Sequence, residues 1–153
     1  MILIKVACGQ LMRYTLSMQT RTFPRILAVL ILAIAVVNCF ANAYYWYWQI
    51  RWFDMPMHFL GGVWLAGVAI WWRFTSGRCT NEVKSFWRVI LWGVGAAFLV
   101  GFAWEVYEST ISVLTIGHIN AIPDTFSDLF FDTLGGFVTA CLINVKGNYQ
   151  SAK

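Results

Sequence analysis

Charge is what this chain has least of. Only 12% of its 153 residues are Asp, Glu, Lys or Arg, against 59% that are hydrophobic, which is too few to wet the surface of a soluble domain. A concentrated basic patch is missing as well. The net charge of +4 is spread over three separated segments, which serves membrane topology and contact with anionic lipid and gives no nucleic-acid signal. Cysteine is sparse and unpatterned. Cys8 and Cys79 fall in polar segments expected to be cytoplasmic, Cys39 and Cys141 fall in apolar ones, and no two share a metal-ligand spacing. That excludes a disulfide framework and a cysteine-based metal motif.

What is present is apolar length. Four runs, Ile26–Tyr47, Met55–Arg73, Phe86–Tyr107 and Thr125–Val145, divide the sequence. Each has the roughly 20 residues that a helix needs to cross about 30 Å of hydrocarbon at about 1.5 Å per residue. The charges sort around them by sign. Lys5, Arg13, Arg21 and Arg25 precede the first run, Arg73, Arg78, Lys84 and Arg88 surround the second connection, and Lys146 and Lys153 follow the fourth. Asp54, Glu105, Glu108, Asp124, Asp128 and Asp132 fall on the opposite side with Arg51, leaving Glu82 as the one acid among the basic loops. Short basic loops mark the cytoplasmic side. The expectation is an all-α, multi-pass protein of the inner (plasma) membrane: a four-transmembrane-helix bundle with both termini cytoplasmic. It has a tail over residues 1–25, a helical domain over 26–145 and a second tail over 146–153.

The aromatic residues agree with these spans. Tyr44 to Trp48, Trp52, Trp104 and Tyr107 form a belt at the outer interface, and Trp71, Trp72, Phe86, Trp87 and Trp92 one at the inner. Arg21, Arg25, the following apolar run and Ala41-Asn42-Ala43 also imitate a signal peptide with its cleavage site. The long polar stretch before them and the continuation into an aromatic belt favour a retained helix.

The second and fourth runs open alike. Asp54-x3-His58-x-Leu60-Gly61-Gly62 aligns with Asp128-x3-Asp132-x-Leu134-Gly135-Gly136, which points to two helical hairpins lying in parallel. Small residues continue from the polar ones at i, i+4 spacing: His58 to Gly62 and Ala66, Asp132 to Gly136 and Ala140, and Gly93, Ala97 and Gly101 up to Glu105. Small residues let membrane helices approach closely. These stripes, and the ionisable groups at their ends, are expected to face the bundle interior.

Some of these groups have ordinary explanations. Asp54 precedes a helix with Pro56 in its first turn and suits an N-cap. Thr125-x-x-Asp128 resembles a capping box, Asp124 follows Pro123 as a turn residue would, and His118 suits a loop. Glu105, Glu108 and Asp132 are harder to dismiss: the glutamates are expected at the negative end of an outward-running helix, and Asp132 is too deep to cap. Pairing of His58 with Glu105, with Asp132 hydrogen-bonded, is the structural explanation. The functional one is a divalent metal site, since carboxylates with a histidine on several bundle helices are what such ions require. In it His58, Glu105 and Asp132 hold the ion, and Glu108 or Asp128 acts as general base on its water.

Two further absences narrow the choice. Arg51 is the one cation on the outer side, so a Lys/Arg clamp for phosphate is missing. The inner halves of the runs hold almost no ionisable groups, which counts against a proton relay, a pump or an ion-coupled carrier.

Asp54-x3-His58-Phe59, Trp104-Glu105-x-x-Glu108 and Asp124-x3-Asp128-Leu129-x-x-Asp132-x-x-Gly135 together resemble the VanZ-like superfamily of small bacterial membrane proteins, including its YjdF-type members. The likeness covers roughly residues 54–140. In much of that family Asn stands in the place of Asp132 and Gln in that of Glu108, so this chain is the more acidic. The resemblance implies a polytopic inner-membrane protein and, for the VanZ branch, a link to glycopeptide (teicoplanin) resistance at the cell envelope. It implies no established reaction. The leading expectation is an outward-facing site that binds a divalent cation and acts on, or holds, a lipid-linked envelope substrate. The alternative is a non-catalytic, partner-binding or transport-associated protein whose polar layer fixes helix packing.

Overall fold

The computed structural model describes residues 23–76, 85–116 and 122–151. Cys8, Cys79, His118 and most of the N-terminal tail lie outside them. Among the described residues every regular element is a helix: α1 (Arg25–Ala43), the single turn α2 (Trp46–Gln49), α3 (Asp54–Phe74), α4 (Phe86–Ile116) and α5 (Ile122–Ser151). α1, α3, α4 and α5 are each long and apolar enough to cross a membrane.

α3 begins and ends within one residue of the second apolar run. The other helices depart from their runs for local reasons. α1 stops at Ala43, four residues short, because Tyr45 takes a left-handed backbone (φ 56°). A residue with a Cβ pays for that conformation with strain. Here it turns the chain so that Trp46 and Tyr47 pack edge-on against Phe53, at centroid distances of 5.5 and 5.2 Å, just before α3 starts. α4 continues nine residues past Tyr107, with Thr110 and Thr115 hydroxyls donating to the carbonyls of Val106 and Ile111 one turn back. At 31 residues it is roughly 46 Å long, more than a hydrocarbon core requires. α5 likewise runs on through Ser151, beyond the expected boundary at Val145.

α3 and α5 both start at the acidic end and run the same way. They share the most extensive interface in the protein, and α4 packs against both. The small-residue stripes form the contact: Gly62, Ala66, Gly93, Ala97, Gly101, Gly136 and Ala140 are all buried. The approach is closest at two glycines. A Cβ on Gly62 would collide with the Asp132 backbone carbonyl, and one on Gly135 with the Phe59 carbonyl. Each position occurs in one copy of the Leu-Gly-Gly repeat and touches the helix that carries the other, so the repeat is the seam of the α3–α5 pair. At the far end Ile70, Val89 and Ala140 form an apolar core with Phe74, Ile90 and Ile143.

α1 stands apart. It packs chiefly on α3: Leu27, which with Ala41 is one of its two buried residues, lies against Gly67, and the Trp64 indole N–H donates to the Leu27 carbonyl at 2.9 Å. The two hairpins are therefore parallel in direction but not equivalent in packing.

Candidate metal centre

The α3–α4–α5 packing brings one polar layer together near the starts of α3 and α5. His58 is its hub, one turn into α3, with a side chain only 9% exposed. Its two ring nitrogens face different partners. Nδ1 donates to Asp132 Oδ2 at 3.2 Å. Nε2 faces three other carboxylates: Asp54 Oδ1 at 3.6 Å, Asp128 Oδ1 at 3.9 Å and Glu105 Oε1 at 4.0 Å. Glu105, Asp128 and Asp132 are buried at 3–4% exposure, whereas the Asp54 side chain is 34% exposed and opens the layer towards its end of the bundle.

Local structure explains each placement. Asp54 and His58 are one turn apart on α3, as are Asp128 and Asp132 on α5, so each pair projects from one face. Asp132 is held where helices nearly touch. Gly62 abuts its backbone, and a Cβ on Gly101 of α4 would run into its carboxylate. Glu105 lies one turn beyond Gly101, on the same buried stripe.

The capping explanations do not describe these residues. Phe53 is the N-cap of α3, where no side-chain cap bond forms, and the Asp54 carboxylate instead faces His58. Asp128 is buried in the second turn of α5, while Asp124 is exposed in the first. The helix-end expectation for Glu105 and Glu108 is corrected as well: α4 runs on to Ile116, so neither sits in the last turn, where the helix dipole acts.

Charge sets what the layer can do. Four carboxylates surround one imidazole, which supplies at most a single positive charge. Two carboxylates about 4 Å apart repel by roughly 4 kcal/mol at an effective dielectric of 20, so the layer requires protons or a cation. Glu105 distinguishes these. Neither of its oxygens accepts a hydrogen bond; the Thr125 hydroxyl is directed towards it from α5 but falls outside hydrogen-bond geometry. A proton on one oxygen would leave the other without a partner, whereas a cation would use both the charge and the lone pairs. Asp54, His58 and Asp128 each offer one ligand atom, all within 4.8 Å of one another.

The described residues include all five expected at the site from the sequence. His58, Glu105, Asp128 and Asp132 meet. Glu108 is half-buried one turn along α4, on the side of the Tyr47 phenol. Asp54 and Tyr47 are the additions. Asp54 was legible as the i, i+4 partner of His58, but helix-start chemistry gave it an ordinary explanation. Tyr47 was one aromatic among a belt of them. Its hydroxyl donates to Asn38 Oδ1 at 2.7 Å, and burial, with the nearby charges of Asp54 and Glu108, pushes its pKa up to about 12. It is therefore a proton donor at any physiological pH. Asn38 in turn bonds Asn42, so the two asparagines of α1 form a small network with Tyr47. An apolar hollow of about 230 Å³ on the α4–α5 seam, lined by Val94, Phe130, Thr133, Leu134 and Phe137, includes no charged group and is separate from this layer.

Residues 4–148 match the family described as "predicted membrane protein (DUF2238)". The chain belongs to that family. No curated protein and no solved structure matches it. Membership and the four candidate spans make this a small helical membrane protein, and the buried His/Asp cluster is its distinctive chemical feature.

Proposed function

We propose that the protein is a multi-pass inner-membrane protein whose acidic end faces outward, and that this end binds a divalent cation. The observation that carries the reading is the two-sided histidine: Nδ1 is fixed by Asp132 while Nε2 points at carboxylates without hydrogen-bonding to them. A carboxylate on the far nitrogen is the usual device for aiming an imidazole at a metal. In this reading Asp54, His58 and Asp128 are the ligands, Glu105 lies beside them, and Asp132 orients the ring. Glu108, on the exposed side, is the general base of an enzymatic version. The orientation rests on the basic residues at the opposite end, with both termini cytoplasmic.

The resemblance to VanZ-like and YjdF-type proteins supports an envelope role, and the position of the layer near one interface suits a lipid-linked substrate in the outer leaflet. The ion would supply positive charge that the end lacks, Arg51 being its one basic residue. The competing reading is a non-catalytic protein, partner-binding or transport-associated, in which the layer only fixes helix packing.

Mass-spectrometric metal analysis of protein purified in mild detergent separates them. The metal reading expects stoichiometric ion in the native protein and little in folded His58→Ala and Asp132→Asn. A native protein that is empty and takes up no added divalent ion would leave packing as the account of the layer.

A further inference from the structure

Resting on the cation-site reading above, we infer that the ion is a borderline first-row metal of the Zn²⁺ type, not Ca²⁺ or Mg²⁺, held by Asp54, His58 and Asp128 with one further position open towards Glu105.

The donor set carries the choice. Calcium takes 6–8 oxygens and magnesium keeps most of its water, so neither gains from a nitrogen at the centre of its site. Here a nitrogen is at the centre, and it is held there. Asp132 fixes the ring through Nδ1 at 3.2 Å, and Asp132 is itself immobilised between Gly62 and Gly101. The fold thus commits a buried carboxylate to aiming Nε2 at the other carboxylates. Imidazole suits zinc, iron, nickel and copper, while mixed nitrogen and carboxylate ligation marks a borderline ion.

Distance agrees. Ligand atoms about 2.0–2.2 Å from a tetrahedral ion lie roughly 3.4 Å from one another. Nε2 is 3.6 Å from Asp54 Oδ1 and 3.9 Å from Asp128 Oδ1, so both histidine edges close with shifts of a few tenths of an ångström.

Glu105 marks the open position. It is buried, at 3% exposure, and both its oxygens lack hydrogen-bond partners. Its Oε1 is 4.0 Å from Nε2, yet it falls outside the tight Asp54–His58–Asp128 group. Three protein ligands with a fourth position free is the pattern of sites that exchange a ligand, whereas closed structural sites use four. The occupant of that position would meet Glu105 as its hydrogen-bond acceptor. Asp54 thereby becomes a ligand, and Glu105 the residue that receives whatever the ion binds.

The test uses the full-length protein in detergent, stripped with a chelator and titrated with Zn²⁺ against a chromophoric chelator, alone and with Ca²⁺ or Mg²⁺ in about hundredfold excess. One Zn²⁺ per chain, undisturbed by either competitor, is expected. Co²⁺ provides the second readout: an intense visible band reports four-coordination, and a weak one six. Asp54→Asn should weaken Zn²⁺ by about tenfold or more and Asp132→Asn by about 10–100-fold, with unchanged elution on gel filtration. Glu105→Gln should keep the Co²⁺ intensity but shift the band. Displacement of Zn²⁺ by Ca²⁺ or Mg²⁺, or a six-coordinate Co²⁺ spectrum, would overturn the metal class while leaving a cation site standing. Failure of every divalent ion to bind would overturn the underlying reading as well.

Discussion

α1 and α4 run in the same direction, both towards the acidic end, and both are apolar enough to span a membrane, yet one is a satellite and the other builds the site. The difference lies in the spacing of small residues. α4 places Gly93, Ala97, Gly101 and Glu105 four apart, so a continuous strip of backbone meets α3 and α5. α1 buries only Leu27 and Ala41, fourteen residues apart in the sequence, and leaves Ile26, Val29 and Leu32 exposed. Apolar composition is enough to place a helix in lipid. Close approach needs small side chains at helical period, and only close approach can bury a carboxylate among helices. α1 reaches the site indirectly, through the Asn38–Tyr47 bond.

The sharpest way to break that contrast is to enlarge one residue on each helix. Gly101→Leu drives a side chain into the Asp132 carboxylate and should cost about 3 kcal/mol or more, the upper range for overpacking, in thermal unfolding. Ala33→Leu on the exposed face of α1 should stay within about 0.5 kcal/mol. Equal losses would mean that α1 is packed as tightly as α4.

Glu105→Gln sharpens the comparison at the site itself. The amide keeps the shape but removes a buried charge without hydrogen bonds, so the metal-free protein should melt no lower than the native one while divalent-ion affinity falls about tenfold or more, the scale seen when groups around a metal are changed. A clear drop in the metal-free melting temperature would make Glu105 a packing residue.

Smaller effects are expected on the α1 side. Tyr47→Phe removes one hydrogen bond and should cost about 1 kcal/mol, with ion affinity changed by less than about threefold. Loss of ion binding in this variant would bring Tyr47 itself into the site. Trp64→Phe, which deletes the donor to Leu27, should also cost about 1 kcal/mol, with the site intact.

Much of this was legible in the sequence. Four spans followed from apolar length, the buried faces from small residues four apart, and the meeting of His58, Glu105, Asp128 and Asp132 from their place at the ends of those stripes. What was not legible depended on details that periodicity does not carry. The run ending at Tyr107 stopped where Glu105, Glu108 and Thr110 lower hydropathy, although polar residues are no bar to a helix that continues to Ile116. The early end of α1 is set by the backbone of Tyr45, a residue with no turn signature. The division of carboxylates between the two nitrogens of His58 depends on how α5 is rotated against α3, and so on the Gly62 and Gly135 contacts. Asp132 was expected among the ligands and is bonded to Nδ1, while Asp54, expected as a cap, faces Nε2.

The central claim is the proposal that the α3–α4–α5 layer binds a divalent cation, and melting with and without a chelator tests it most directly. An ion bound to the folded protein alone adds stability by mass action, about 2.7 kcal/mol at a hundredfold excess over its dissociation constant. Chelation should therefore lower the melting temperature of the native protein, added divalent ion should restore it, and Asp54→Asn should respond far less to either. A native melting temperature indifferent to both chelator and added ion would contradict the account.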